Sequence, residues 1–189
     1  MIFARLVVLG CVFLANCASF ELGNFSRSEI ANLTPLLNSE RIAHQFGSYG
    51  IEVIEQSAIA RISDLHSGHG PSRTTRTIAW VEFLLPVESE IGDLHRCIVN
   101  GASLGATFKQ ACWKVSKHEF RVGSIKSSAL PSSLTKRMRI SGADLASLRY
   151  RLDVSKVDGK HFPYAWITEF YHPAYLKAKD VAALVDLDP

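Results

Sequence analysis

Apolar residues recur at helical intervals over 28–46, at Ile30, Leu33, Leu36/Leu37, Ile42 and Phe46, which predicts a helix that Pro35 must interrupt or restart. Gly47 and Gly50 close it. Three stretches rich in β-forming residues follow, at 51–55, 58–66 and 74–85, the last two separated by a loop carrying Gly68, Gly70 and Pro71; together they predict an antiparallel meander. Pro86 ends the third strand. A helical pattern spans 89–100 (Ile91, Leu94, Ile98) and closes at Gly101, with a short helical turn expected at 103–112. Residues 113–122 alternate like a strand, whereas 123–139 is Ser-rich and basic and reads as a long mobile loop, the natural candidate for a lid. Strands at 148–157 and 162–171 flank Asp158-Gly159, a strong hairpin signal, and a short helix is expected at 174–187. This order predicts one α+β domain over 27–189: a single antiparallel sheet of about six strands with helices packed on one face.

The first 19 residues follow a different pattern. After Arg5, the run Leu6 to Ala15 is as long as the apolar core of a secretory signal and too short for a bilayer span of ~20 residues. The run ends at Leu14-Ala15-Asn16-Cys17, which resembles the lipobox of bacterial lipoproteins, so the expectation is export to the periplasm or the envelope, either with a lipid anchor at Cys17 as the one membrane contact or with ordinary signal-peptidase cleavage nearby, since Asn16 departs from the small residue a lipobox prefers there. An N-terminal helix retained on a cytoplasmic domain is the alternative. The remaining cysteines, Cys97 and Cys112, are either a disulfide pair in an oxidising compartment or two buried thiols.

Composition narrows the function. With 47% hydrophobic residues, 12 Gly and 7 Pro in 189, the chain is an ordinary globular one, and a net charge of +3 is too small for a phosphate-tracking surface. No nucleic-acid partner is expected. The chemistry is instead sought in charges that fall where apolar residues belong. Alternation places Ala165, Ile167, Glu169 and Tyr171 on one face of the last strand, so Glu169 shares an apolar stripe and demands a cationic partner or a raised pKa. Arg76 shares its face with Ile78 and Trp80, and Arg61 stands inside the run Ala58 to Ile62. Two arginines and a glutamate on one sheet could converge on a cavity where an arginine fork grips a carboxylate and Glu169 meets a hydroxyl. A structural ion-pair cluster or solvent-facing strand charges would explain the same pattern.

These residues also carry a resemblance. Arg61-Ile-Ser-Asp-Leu, Thr75-Arg76-Thr77, Ser103-Leu104-Gly105 and Thr168-Glu169-Phe170-Tyr171-His172-Pro173, preceded by Leu33-Thr34-Pro35 and Asn38-Ser39-Glu40-Arg41, resemble the ordered landmarks of chorismate lyase and the related ligand-sensing domains of GntR-type regulators. The resemblance implies a six-stranded antiparallel sheet enclosing a buried aromatic-carboxylate site, and a lyase that converts chorismate to 4-hydroxybenzoate and pyruvate without metal or organic cofactor. It implies that Arg61 grips the aromatic carboxylate, that Arg76 faces the enolpyruvyl part, that Glu169 is the acid at the ether or phenol oxygen, and that Leu104 contributes through its backbone. Arg76 and Glu169 are thus the expected catalytic residues, and Arg61, Arg76, Leu104 and Glu169 the expected substrate-binding ones. Since chorismate is cytosolic, an exported homologue is more readily a binder of a small aromatic or acidic carboxylate; a lyase and a scaffold without a small-molecule site stay open beside it.

Two weaker constellations remain. Asp64, His66 and His69 are metal-ligand residue types, but their Gly-rich setting reads as a strand end and turn, so no metal is expected. Lys136, Arg137 and Arg139 are placed to touch an anionic group or simply to face solvent. Asn24 and Asn32 stand in N-glycosylation sequons.

Overall fold

The computed structural model describes residues 23–34, 36–156 and 159–186. The signal-like segment, Cys17, Pro35 and Asp158 lie outside the described residues. Helix α1 (Arg27–Leu33) starts at a capping box, in which the Ser26 hydroxyl accepts from the Glu29 N–H while the Glu29 carboxylate accepts from the Ser26 N–H. The expected long first helix is in fact two. Helix α2 (Asn38–Phe46) restarts with the Glu40 carboxylate accepting from the Leu37 N–H and ends at Gly47, whose φ of 72° supplies the left-handed cap.

Strands β1 (Gly50–Gln56), β2 (Ala60–Ser67) and β3 (Thr74–Phe83) form the expected meander, and Gly68 makes its second turn possible. At φ +72°, a Cβ on Gly68 would stand 2.5 Å from the Ser72 carbonyl oxygen. Helices α3 (Gly92–Val99) and α4 (Leu104–Gln110) follow, then β4 (Lys114–Lys126), α5 (Ser132–Met138), β5 (Asp144–Ser155), β6 (His161–Tyr171) and α6 (Ala178–Asp186). The sheet is six-stranded, open and antiparallel in the order β1-β2-β3-β6-β5-β4, and the fold is α+β.

Two expectations need correction. Residues 123–139 are not a mobile lid: β4 continues to Lys126, a 3₁₀ turn spans Ser127–Ala129, and α5 follows, with Leu134 and Met138 buried one turn apart. The Ser-rich composition concealed this short amphipathic helix. Nor do all the helices share one side. Ile30, Leu33, Ile42, Ile98, Phe108, Val181 and Leu184, from α1, α2, α3, α4 and α6, join Leu65, Val81, Leu148 and Ile167 in the main core on one face. Leu134 and Met138 of α5 pack with Ile62, Ile78, Leu145 and Phe170 on the other.

Among the described residues, four of the five strand pairings carry a β-bulge, and the β3–β6 register runs unbroken. Ile54 is the extra residue of β1, Arg76 of β3, and Tyr164 of β6, and β4 gains one between His118 and Arg121, where Glu119 has φ 57°. A bulge shifts every residue beyond it to the opposite face relative to simple alternation. Two of these bulges shape the site.

Candidate functional site

Glu169 lies where its alternation placed it, on the helix-covered face and 4% exposed. Its neighbours across the sheet are Ala79 of β3 and Leu148 of β5, and Ala79 in turn lies opposite Ser63 of β2. The carboxylate is surrounded by donors. Asn38 Nδ2 donates to Oε1 at 3.2 Å, the Tyr150 hydroxyl donates to Oε1 at 3.5 Å, and the Tyr171 hydroxyl donates to Oε2. Asn38 is oriented by the Tyr175 hydroxyl, which donates to its Oδ1 at 3.1 Å. Burial, followed by the Glu169 charge, pushes the Tyr150 and Tyr171 phenols well above their usual range, and burial raises Tyr175 too. The phenols therefore remain protonated donors at ordinary pH.

Arg61 is 3% exposed on the same face. Its Nη1 donates to the Ala102 carbonyl at 2.6 Å, and its Nε donates to the Ser63 hydroxyl at 3.1 Å. Among the described residues no carboxylate is within 4 Å of it, and burial lowers its pKa. Ser63 and Ala79, the residues between Arg61 and Glu169, are small. The backbones of Ser63 and Glu169 are two strand spacings apart, about 10 Å. The half-buried Tyr49, between α2 and β1, senses both charges: burial and then Glu169 raise its pKa, and Arg61 opposes them. Glu169 and Arg61 thus lie buried on one face of the sheet, with the small side chains of Ser63 and Ala79 between them.

Arg76 corrects one expectation. Thr75 donates to Asp64 Oδ2 on the α5 side, whereas Thr77 accepts from Asn38 on the other side, although the two are two positions apart. The bulge at Arg76 accounts for this, since Leu65 pairs with Thr77 and His66 with Thr75, leaving Arg76 unpaired. Instead of sharing a face with Ile78 and Trp80, its side chain turns toward α2, with Cζ 3.5 Å from the Phe46 ring centroid and Nε donating to the Ser67 hydroxyl at 2.9 Å. It is half-buried and makes no ion pair with Glu169. The same device brings Tyr164 to this face: its hydroxyl is 3.0 Å from His95 Nδ1, and burial raises its pKa while the Arg61 charge opposes that rise. Leu104 opens α4, half-buried, two residues from the carbonyl that Arg61 grips.

Arg41 entered the sequence reading only within the landmark Asn38-Ser39-Glu40-Arg41 and was given no role. Asn38, Arg41 and Ile42 share the inward face of α2, and that i, i+3, i+4 spacing was the available signal. Reading only the apolar positions of the helix hid the two polar ones.

The weaker constellations resolve as structure. Asp64, fully buried, accepts from Arg73 at 2.8 Å, from Arg137 at 3.2 Å and from Thr75 at 3.0 Å, and both arginines also bind Glu52. Arg137 and then Arg73 hold the Glu52 carboxyl below its usual range. Arg137 is therefore neither in a solvated loop nor free for an anion; it clamps α5 to β1 and β2. Among the described residues, no group of three His, Cys, Asp or Glu side chains is placed to hold a metal. Cys97 and Cys112 are both free and exposed, which matches neither the disulfide nor the buried-thiol expectation. Asn24 Nδ2 donates to the Pro173 and Tyr175 carbonyls, so this sequon amide is already engaged. A groove between α1 and α6, lined by Phe25, Ile30, Lys179 and Ala183, contains none of the residues singled out above.

No family model matches the chain, and no curated protein matches it.

Proposed function

We propose that this protein binds a small aromatic carboxylate on the helix-covered face of the sheet. Arg61 grips the carboxylate, Glu169 meets a hydroxyl or ether oxygen of the ring, and Arg76 stands at the rim. The observation that carries this reading is Arg61 itself, a buried guanidinium that ends on a carbonyl and a hydroxyl with no carboxylate beside it among the described residues. Burying a charge unpaired is costly, and an incoming carboxylate would supply what the fold omits. Ser63 and Ala79, the residues between Arg61 and Glu169, are small, and the ring of the ligand would lie over them.

The specific form of this proposal is a chorismate-lyase-like site, in which Glu169 acts at the oxygen that leaves as enolpyruvate departs and the ring aromatises. No metal or organic cofactor is needed for that elimination. Incubating the protein with chorismate should release pyruvate, and Glu169→Gln should suppress release more than it weakens 4-hydroxybenzoate binding. Saturable 4-hydroxybenzoate binding without pyruvate leaves a binding protein, the reading an exported form would favour. If neither occurs, the small-molecule site is wrong and a scaffold role takes its place. Mass spectrometry of the mature N-terminus decides between export, with or without lipid at Cys17, and cytoplasmic retention.

A further inference from the structure

The groove between α1 and α6 has a volume of about 440 Å³, within the range of small-molecule sites, and is open to solvent on one side. Phe25, Ile30 and Ala183 give it an apolar lining, and its charged lining is Arg27 and Lys179 against Asp180. Its walls are fixed by the segment that leads into α1. The Asn24 N–H donates to Asp180 Oδ2 at 2.9 Å, the Phe25 N–H to Oδ1 at 3.2 Å, and the Lys177 N–H to Oδ2 at 2.9 Å. The Asn24 side chain adds its two bonds to the Pro173 and Tyr175 carbonyls. A Cβ on Gly23 would stand 2.2 Å from Asp180 Oδ1, so the entering chain lies flush against α6. The groove is thus formed before any guest arrives, which lowers the cost of filling it.

The charges at the groove are not equivalent. Asp180 is 2% exposed and both its oxygens are engaged by backbone donors, so it is part of the wall. Arg27 and Lys179 are exposed, and among the described residues they make no ion pair. The surface therefore offers an apolar trough with two unengaged cations beside it. A purely apolar guest would leave both cations unanswered, and a small hydrophilic anion would leave the trough wet. Only a guest with an apolar body and an anionic end meets both. The volume equals that of about fifteen waters at ~30 Å³ each, and a methylene fills roughly the room of one water, so an unbranched chain of about twelve carbons matches it.

We propose that the α1–α6 groove binds a single-chain anionic amphiphile, a medium-chain fatty-acid carboxylate, with its chain along Phe25, Ile30 and Ala183 and its head group held by Arg27 and Lys179. This site is separate from the one that contains Arg61 and Glu169, and neither depends on the other.

Calorimetry on the full chain with dodecanoate, kept below its micelle concentration, tests the proposal. Wild type should bind one dodecanoate per chain, about tenfold or more tightly than octanoate, as expected when four more methylenes leave water. It should also prefer dodecanoate about tenfold or more over dodecyltrimethylammonium, which has the same chain and a cationic head. Arg27→Glu combined with Lys179→Glu should remove that preference. Both positions are exposed and lie in the first turn of their helices, where a carboxylate is favourable, so the fold survives the exchange. Ala183→Phe, which fills the trough, should abolish dodecanoate binding; if it does not fold, the charge-reversed variant decides alone. Arg61→Met should bind dodecanoate as wild type does. No binding by wild type, equal affinity for the two head groups, an unchanged preference after charge reversal, or loss of binding in Arg61→Met would each overturn the proposal. Co-sedimentation with phosphatidylglycerol vesicles in the absence of dodecanoate binding would overturn it too, and would make this face a membrane contact.

Discussion

Replacing Arg61 with Met tests whether its guanidinium serves a ligand or the fold. The change removes two hydrogen bonds from a charged donor, to the Ala102 carbonyl and the Ser63 hydroxyl. Such bonds contribute about 1.5–3 kcal/mol each, so roughly 3–6 kcal/mol is lost. Against this, the folded state no longer has to keep a guanidinium away from water, a cost of several kcal/mol, and Met fills much of the vacated volume with apolar atoms. Ala102 is only half-buried, so its carbonyl can regain a water partner. The opposing contributions nearly cancel, and the net change should lie within about 2 kcal/mol in either direction. For a domain of this size that is a shift of no more than about 8 °C in Tm. Binding of 4-hydroxybenzoate should be abolished in the same variant. Thermal melts of wild type and variant, each with and without 4-hydroxybenzoate, measure both effects. A loss above about 3 kcal/mol, the penalty of breaking a buried charge pair, would refute the reasoning if wild type also shows no ligand-induced rise.

Asp64→Asn should cost about 3 kcal/mol by urea unfolding, because a fully buried carboxylate shared by Arg73, Arg137 and Thr75 loses its charge, and the amides of α5 should exchange faster; a loss below about 1 kcal/mol would show that the cluster does not hold the helix. Acid should destabilise the protein before its carboxylates titrate. Burial lowers the pKa of His95, as it does those of His66 and His172, so as pH falls below about 7 the unfolded chain takes up protons first and stability drops. His95→Gln should show a smaller fall in Tm between pH 7.5 and 5.5 than wild type, and an equal fall would remove His95 from the account.

Where local pattern sufficed, the sequence was readable. Glu169 could be placed on the apolar face of β6 because Ala165, Ile167 and Tyr171 alternate with it without interruption as far as the register with β3 extends. Arg76 could not, because a bulge is an extra residue relative to a partner strand, and nothing in Thr74 to Ile78 reveals which of them lacks a partner on β2. Tyr164 was hidden for the same reason. The ion cluster of Glu52, Asp64, Arg73 and Arg137 joins residues up to 85 positions apart, beyond any periodicity. Helix α5 was lost to composition, its two buried residues, Leu134 and Met138, being surrounded by Ser, Thr, Lys and Arg.

The bulges in the two outermost strands bear on how the protein behaves among copies of itself. An open sheet offers a row of unpaired N–H and C=O groups along each margin, and a straight, apolar margin invites a neighbouring chain to extend it. Here β1 is broken at Ile54 and β4 at Glu119, so a chain laid along either margin loses hydrogen-bond register partway. The β4 margin also carries Lys114, Lys117, Arg121 and Lys126, whose like charges would face those of a second copy. The molecule can therefore keep a six-stranded sheet open, at the concentrations of a crowded compartment, without that sheet becoming a template for fibres.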